Sequence, residues 1–185
     1  LCGNHIEFLY PKEVVEFDSS RQDLSPYGFS CERWRPTRMP RSDRHNEIEV
    51  NFLQSGTLSY LLAGSRVDVK PARWTAFWAC VPHRIVDFEG VGEFYVLTVP
   101  LTWFLQWRLG EPLTKALLHG EVVAEPNGSR AEADCRSFAE WCDDLSSGSR
   151  DRRRVCALEV EARWRRLALD CAAFRTSHWP VMGAD

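Results

Sequence analysis

Turn-forming residues recur at short intervals through the middle of the sequence and limit the length of any element there. Glycine or proline stands at positions 56, 64, 71, 82 and 90, and intervals of roughly 8–12 residues are typical of all-β sandwiches and barrels. Between these turns, EIEVNFLQSG, TLSYLLAGS and EFYVLTVP have the composition of strands. We therefore predict a mainly β domain in which the first two of these strands pair as a hairpin.

Beyond Pro100 the apolar pattern changes to a helical period. Two short helices are expected to end at Gly110 and Gly120, and two longer ones to fill residues 129–174. Ser129 and Glu132 have the spacing of a capping box at the first of the longer helices. These patterns divide the chain into an N-terminal arm or extra strands (1–34), a β-domain (35–125) and an antiparallel helical hairpin (129–174).

The last of these helices carries apolar residues on more than one side. One row consists of Val155, Leu158, Ala162 and Leu169, and Trp164, Leu167 and Cys171 broaden it. A helix with two apolar sides suits burial against a second subunit as well as against its own domain. We therefore predict a homodimer formed through the C-terminal helices.

Composition excludes several classes of protein. The 185 residues include 23 basic and 26 acidic side chains, a net charge of −3, whereas nucleic-acid-binding domains usually carry a basic surplus. No apolar run approaches the ~20 residues of a membrane helix, so no membrane partner is expected. The seven cysteines contain no CxxC pair, which favours buried, reduced thiols in a cytoplasmic protein.

Polar residues concentrate just before and within the first of these strands. Asp43, His45, Glu47 and Glu49 alternate with other residues and so share one face of an extended segment. His83 follows a proline at the start of a later strand, a few residues beyond an aromatic pair that includes Trp78. If the sheet curls into a small barrel, these side chains converge on its interior.

The spacing of these residues resembles the two motifs of the cupin family. In the first motif, Asp43 stands at the first histidine position, and His45, Glu49 and Gly56 match the remaining positions. In the second motif His83 matches, whereas the other motif positions hold Ala72, Trp78, Cys80 and Asp87. The stretches RHNEIEVNFLQSGTLSYLLAG, FWACVPHRI and VPLTWFLQWRLG are more specifically similar to the sensor half of AraC-type transcription regulators, in particular the MelR-like branch.

The resemblance implies a cupin-type double-stranded β-helix barrel followed by a dimerisation hairpin. It implies an effector-sensing domain that binds a small polar molecule, such as a sugar, and that is not an enzyme. DNA would be contacted only through a helix-turn-helix domain, which we expect to be absent from this chain.

Three interpretations of the polar cluster remain open. His45, Glu49 and His83 could hold a divalent metal such as zinc, nickel or iron, and a metal-dependent cupin dioxygenase or isomerase is the alternative function. The cluster could instead form a metal-free effector pocket from Asp43, His45, Glu47, Glu49, Trp78 and His83, with further tryptophans at 74, 103 or 107. In the third interpretation Asp43 or Glu49 is paired with a nearby arginine and has a structural role only. The candidate arginines are Arg41, Arg44 and Arg84.

Overall fold

The computed structural model describes the backbone of residues 14–174 and the side chains of residues 14–170. Within these residues, nine strands and four helices follow one another. The strands are β1 (Val14–Val15), β2 (Ser30–Trp34), β3 (Glu47–Leu53), β4 (Thr57–Leu62), β5 (Ser65–Val69), β6 (Thr75–Trp78), β7 (His83–Glu89), β8 (Phe94–Pro100) and β9 (Val123–Ala124). The helices are α1 (Leu101–Gln106), α2 (Glu111–Leu118), α3 (Ala131–Ser146) and α4 (Arg150–Phe174).

The strands form two sheets that face each other. One sheet has six strands in the order β1-β2-β8-β3-β6-β9, and the other has three in the order β5-β4-β7. The pairings are antiparallel except that of β1 with β2. The structure thus confirms the expected β domain followed by two C-terminal helices, while closure of the sheets into a barrel stays a prediction.

Strand β3 is buried along its whole length because it lies between two cores. Ile48, Val50 and Phe52 point to the helices, whereas Glu49 and Leu53 point to the three-stranded sheet. This alternation follows from the two-residue period of a strand. The six-stranded sheet is therefore the middle of three layers, and its second face carries the polar residues inward.

The predicted hairpin between β3 and β4 is wrong. Strand β3 pairs with β6 and β8, so neither of its edges is free for β4. Strand β4 instead crosses to the other sheet, where it pairs with β5 and β7. Gly56 lies in the crossing turn with a φ of +78°, and a Cβ atom there would approach the Glu89 carbonyl oxygen to 2.3 Å. The turn thus redirects the chain between layers.

The two C-terminal helices run antiparallel, as expected. Trp141 Nε1 donates to Glu159 at 2.9 Å, and Arg163 on α4 bonds to Asp134 on α3 at 2.6 and 2.9 Å. The predicted capping box is wrong: α3 begins at Ala131, and no side chain caps its N-terminus. The backbone of Ser129 belongs to the preceding turn, where its N–H donates to the side chain of Asn127.

Helix α4 has two apolar sides with different environments. Its inner side buries Cys156, Val160, Trp164 and Leu167 against the sheet and the other helices. Its outer side leaves Val155, Leu158 and Leu169 exposed by 49, 62 and 72%. Among the described helices, none combines the length and apolar character that crossing a bilayer requires.

Candidate functional site

The polar residues of the two motifs lie together at one end of the space between the two sheets. Asp43 precedes β3, and His83 begins β7. The two backbones exchange hydrogen bonds, from the Asp43 N–H to the His83 carbonyl at 2.8 Å and back at 3.1 Å. His45 is held nearby because its N–H donates to the Ala79 carbonyl at 3.0 Å. This bridge brings side chains that lie 40 residues apart in the sequence into one buried cluster.

His45 is clamped between two carboxylates. Its Nδ1 lies 2.9 Å from Glu47 Oε2, and its Nε2 lies 3.1 Å from Glu49 Oε2. Burial of the ring disfavours its positive charge, but the hydrogen bonds and charges of the two glutamates outweigh burial and raise the pKa of His45 to about 9. At neutral pH the ring is therefore an imidazolium that donates from both nitrogens.

Glu49 connects the cluster to a chain of neutral polar groups. Asn51 Nδ2 donates to Glu49 Oε1 at 2.9 Å, and the Tyr60 hydroxyl donates to Asn51 Oδ1 at 3.0 Å. Burial acts to raise the pKa of Glu49, but the hydrogen bonds from His45 and Asn51 and the positive charge of His45 lower it overall. Glu49 is thus held as a carboxylate whose surroundings are already ordered.

His83 has the opposite electrostatic character to His45. Its Nδ1 lies 2.9 Å from the Val81 carbonyl, which can only accept, so Nδ1 carries a proton. Burial lowers the pKa of His83 and outweighs the attraction of Glu49, whose carboxylate lies 3.7 Å from Nε2. In the neutral ring Nε2 therefore presents a lone pair to the cluster.

Asp43 receives its partners from the loop that precedes β2. Arg21 Nη1 lies 3.3 Å from both carboxylate oxygens of Asp43, and the Tyr27 hydroxyl donates to Oδ2 at 3.2 Å. The Arg21 guanidinium also stacks over the Tyr27 ring at 3.7 Å. The predicted structural alternative named arginines near Asp43 in sequence, and one of them, Arg41, lies 3.9 Å away. Arg21 makes the closer contact and was not predicted.

A cleft between the two sheets opens onto this cluster. It is partly open to solvent. Asp43, Glu49, Tyr60 and His83 contribute polar atoms to its wall. Its other walls include aromatic and apolar residues of the same space: Phe17, Tyr27, Trp34, Met39, Ile85, Phe94 and Val96. A polar end and an apolar wall are the usual composition of a small-molecule site.

The structure does not bring Trp78 to this cleft. Trp78 lies on the opposite face of β6, where its ring packs against the helix-side core and Nε1 donates to Asn46 at 3.3 Å. Its neighbour Phe77 faces the cleft side, with its ring centroid 5.1 Å from that of His83. Trp74, Trp103 and Trp107 also belong to the helix-side core. Adjacent residues of a strand point to opposite faces of the sheet, so Trp78 and Phe77 lie on different sides. Phe77 lies opposite Glu49 on the neighbouring strand, and this pairing would have identified Phe77 as the aromatic residue on the cleft side.

The buried cluster could hold a metal ion. Asp43, His45 and His83 each offer one ligand atom, and these atoms lie within 4.8 Å of one another. Two imidazoles and a carboxylate suit several divalent transition metals. The donor set is already engaged, however, because His45 carries a proton between two glutamates and Asp43 pairs with Arg21. A metal would have to displace both the proton and the guanidinium.

Comparison with known proteins relates the chain to a regulator. It is 29% identical over 136 residues to the melibiose operon regulatory protein of Escherichia coli, in both the K12 and the O6:H1 strains. That alignment covers 72% of this chain and 44% of the relative, so the chain spans less than half of the relative's length. No protein-family model matches the sequence.

Two solved structures align with most of this chain. The AraC-like transcriptional activator CuxR aligns with a TM-score of 0.48 at 13% identity, over 84% of this chain and 52% of that one. ToxT from Vibrio cholerae strain SCE256, solved with a bound unsaturated fatty acid, aligns with a TM-score of 0.40 at 8% identity, over 82% and 51%. The homology to the E. coli protein confirms the resemblance to MelR-like regulators, which are regulatory proteins and not enzymes.

Proposed function

We propose that this chain is the effector-sensing and dimerising part of an AraC-type transcription regulator that works in the cytoplasm. The homology to the melibiose operon regulatory protein supports this assignment. In the proposal, residues 1–34 form an arm with extra strands, residues 35–125 form a cupin-type barrel, and residues 129–174 form the dimerisation hairpin. DNA contact belongs to a helix-turn-helix domain outside this chain.

The observation that carries the effector proposal is the polar end of the cleft. Carboxylate, imidazole and phenol groups from three strands and a connecting segment converge there: Asp43, Glu49, Tyr60 and His83. Such groups bond sugar hydroxyls from both the donor and the acceptor side, while the rings of Tyr27 and Trp34 can cover an apolar sugar face. The polar groups suit a small polar ligand, and the relative's name makes melibiose a first candidate.

Binding is tested by calorimetry with melibiose and a panel of mono- and disaccharides. Replacement His83→Asn should weaken binding at least tenfold, about 1.4 kcal/mol, because Nε2 would no longer face the cleft. The matched control is His119→Asn, since His119 is exposed at the end of α2. If the wild type, the His83→Asn variant and the Tyr60→Phe variant bind with equal affinity, the ligand does not bind at this site.

The dimer proposal rests on the outer side of α4. Val155, Leu158, Ala162 and Leu169 are spaced by three, four and seven residues, which keeps them in one row along the helix. This row is exposed although the inner side of the same helix is fully packed. We assign a second copy of this chain as its partner, since a regulator of this kind binds paired DNA half-sites as a symmetric dimer.

A metal ion at the cluster is a second candidate, favoured by the mutual distances of Asp43, His45 and His83. In this version zinc, nickel or iron binds Asp43, His45 and His83, with Glu49, the carboxylate predicted from the sequence, adjacent. Binding would release the proton of His45 and would therefore tighten as the pH rises. Calorimetry with Zn²⁺ or Ni²⁺ in two buffers of different ionisation enthalpy measures that proton. Binding without proton release, or no binding at pH 9, would rule this version out.

A further inference from the structure

A pair of thiols joins the sheet to the helical hairpin. Cys31 lies on β2 and is 4% exposed, and Cys142 lies on α3 and is half-buried. Their sulfur atoms are 3.4 Å apart, with the Cys142 thiol donating to Cys31. The two residues are 111 positions apart in the sequence, so only the packing of α3 on the sheet brings them together.

The pair is held by its surroundings. Cys31 Sγ also contacts the Phe138 carbonyl at 3.7 Å, and Phe138 is one helical turn before Cys142. The Cys31 side chain therefore lies against a single turn of α3. A disulfide has an S–S length of about 2.05 Å, so the sulfurs need to approach by about 1.4 Å, which rotation of the two side chains can provide.

We propose that Cys31 and Cys142 form a reversible disulfide, generated by hydroperoxides, that fixes α3 to the six-stranded sheet. A metal is not the better explanation of these thiols. Among the described side chains, the cluster with three ligand atoms within 4.8 Å of one another consists of Asp43, His45 and His83, and it contains no cysteine.

The exposures of the two thiols set the order of the reaction. Cys142 is the accessible member, and its thiolate attacks one oxygen of the hydroperoxide, giving a sulfenic acid and releasing hydroxide or alkoxide. Cys31 is shielded, and burial together with the Cys142 contact raises the pKa of its thiol well above the ordinary value. Cys31 then attacks the sulfenic sulfur, and the hydroxyl group leaves with the Cys31 proton as water. Two thiols lose two electrons and the peroxide gains them.

The crosslink would stabilise the fold by closing a very long loop in the unfolded chain. Since the stabilisation grows with loop length, the thermal midpoint of the oxidised protein should rise by about 10 °C. The link would also fix the base on which α4 packs, without touching the cleft. The inference is therefore independent of the proposed effector.

Peptide mapping of the whole chain tests the pair. The reduced protein is treated with hydrogen peroxide, its remaining thiols are alkylated, and the digest is analysed without reductant. The expected product is a single Cys31–Cys142 crosslink that dithiothreitol reverses, together with the higher thermal midpoint.

Variants separate this pair from other thiols. Cys142→Ser should abolish the crosslink, and because the side chain is half-buried and similar in size, the fold should persist. Cys135→Ser is the matched control, since Cys135 lies two turns earlier on α3 with intermediate exposure, and it should leave the crosslink intact. A crosslink between other cysteines overturns the proposal, as does Cys142 oxidised to sulfinic acid while Cys31 remains alkylatable.

Discussion

At the scale of single residues, the two histidines of the cluster differ in charge, since His45 is protonated and His83 is neutral at neutral pH. Both rings are buried, and burial alone would keep both neutral. His45 is charged because two carboxylates contact its two nitrogens, whereas His83 uses one nitrogen on a backbone carbonyl. A proton on His45 therefore completes a buried chain of alternating charge from Glu47 to Glu49.

The proton on His45 predicts an unusual titration. Its ring signals in an NMR titration should change near pH 9, where burial is outweighed by the glutamates, and not near the ordinary value of 6.5. Replacement Glu47→Gln should lower the pKa of His45 because it removes one negative partner at 2.9 Å. A His45 pKa near 6.5 would contradict the charged assignment.

The same cluster predicts how stability depends on pH. The raised pKa of His45 adds stability that is complete below about pH 6.5 and is lost as the pH rises through about 9. The lowered pKa values of His83 and Glu49 act in the other direction, so their contribution is lost as the pH falls below 6.5 and then 4.5. Denaturant unfolding should show a maximum near neutral pH, and Glu47→Gln should flatten its alkaline side.

At the scale of elements, α4 is anchored by a buried arginine. Arg163 bonds to Asp134 on α3 and to Glu125 just after β9, and its guanidinium stacks 4.6 Å above the Trp74 ring. All three charged residues are at most 5% exposed. Their mutual pairing offsets a large desolvation cost, so removing one partner leaves uncompensated charge in the core.

Replacement Arg163→Met should therefore lower the free energy of unfolding by about 3–5 kcal/mol. The control is Arg136→Met on α3, because Arg136 is 65% exposed in its side chain and pairs with Glu132 one turn away. Its loss should cost about 0.5 kcal/mol or less. Urea unfolding of both variants measures the difference, and similar costs would show that the buried network does not hold α4.

The turn between the sheets gives a second element-scale prediction. Gly56 and Gly64 both have a left-handed φ, +78° and +87°, but only at Gly56 would a Cβ atom meet backbone. Gly64→Ala should cost about 1–2 kcal/mol from the conformation alone. Gly56→Ala should cost at least about 2 kcal/mol more, because the Glu89 and Gly90 backbone must move. Equal losses in chemical unfolding would mean that the turn can relax.

These elements show what a sequence reveals and what it leaves out. Strand positions followed from turn spacing, because glycine and proline act locally. The strands that pair with β3 could not be predicted. The alternating pattern of its side chains indicates two different faces, but it does not indicate which strands lie beside it. The outer row of α4 was identified by its period, but a period cannot distinguish the buried side from the exposed side when both are apolar.

At the scale of the whole molecule, the site was predictable only where the motif spacing fixed it. Asp43, His45, Glu49 and His83 do converge, because β3 and the start of β7 are joined by the Asp43–His83 bridge. Arg21, Tyr27 and Tyr60 were missed, since none of them belongs to the motif. Arg21 and Tyr27 lie on a loop, whose path the sequence does not fix, and Tyr60 lies on β4, whose crossing to the other sheet was not predicted. The tertiary packing of distant segments places these three side chains at the site.

The outer row of α4 is the proposed dimer interface, and it gives the last prediction. Leu158 is 62% exposed near the middle of that row, so Leu158→Asp should leave the fold intact and raise the dimer dissociation constant at least tenfold, about 1.4 kcal/mol. Light scattering after size exclusion, across a dilution series, measures this. Leu24→Asp is the control, because Leu24 is 49% exposed on the loop before β2. A Leu158→Asp protein that dimerises like the wild type would place the interface elsewhere, because a carboxylate pair cannot be buried in the row at no cost.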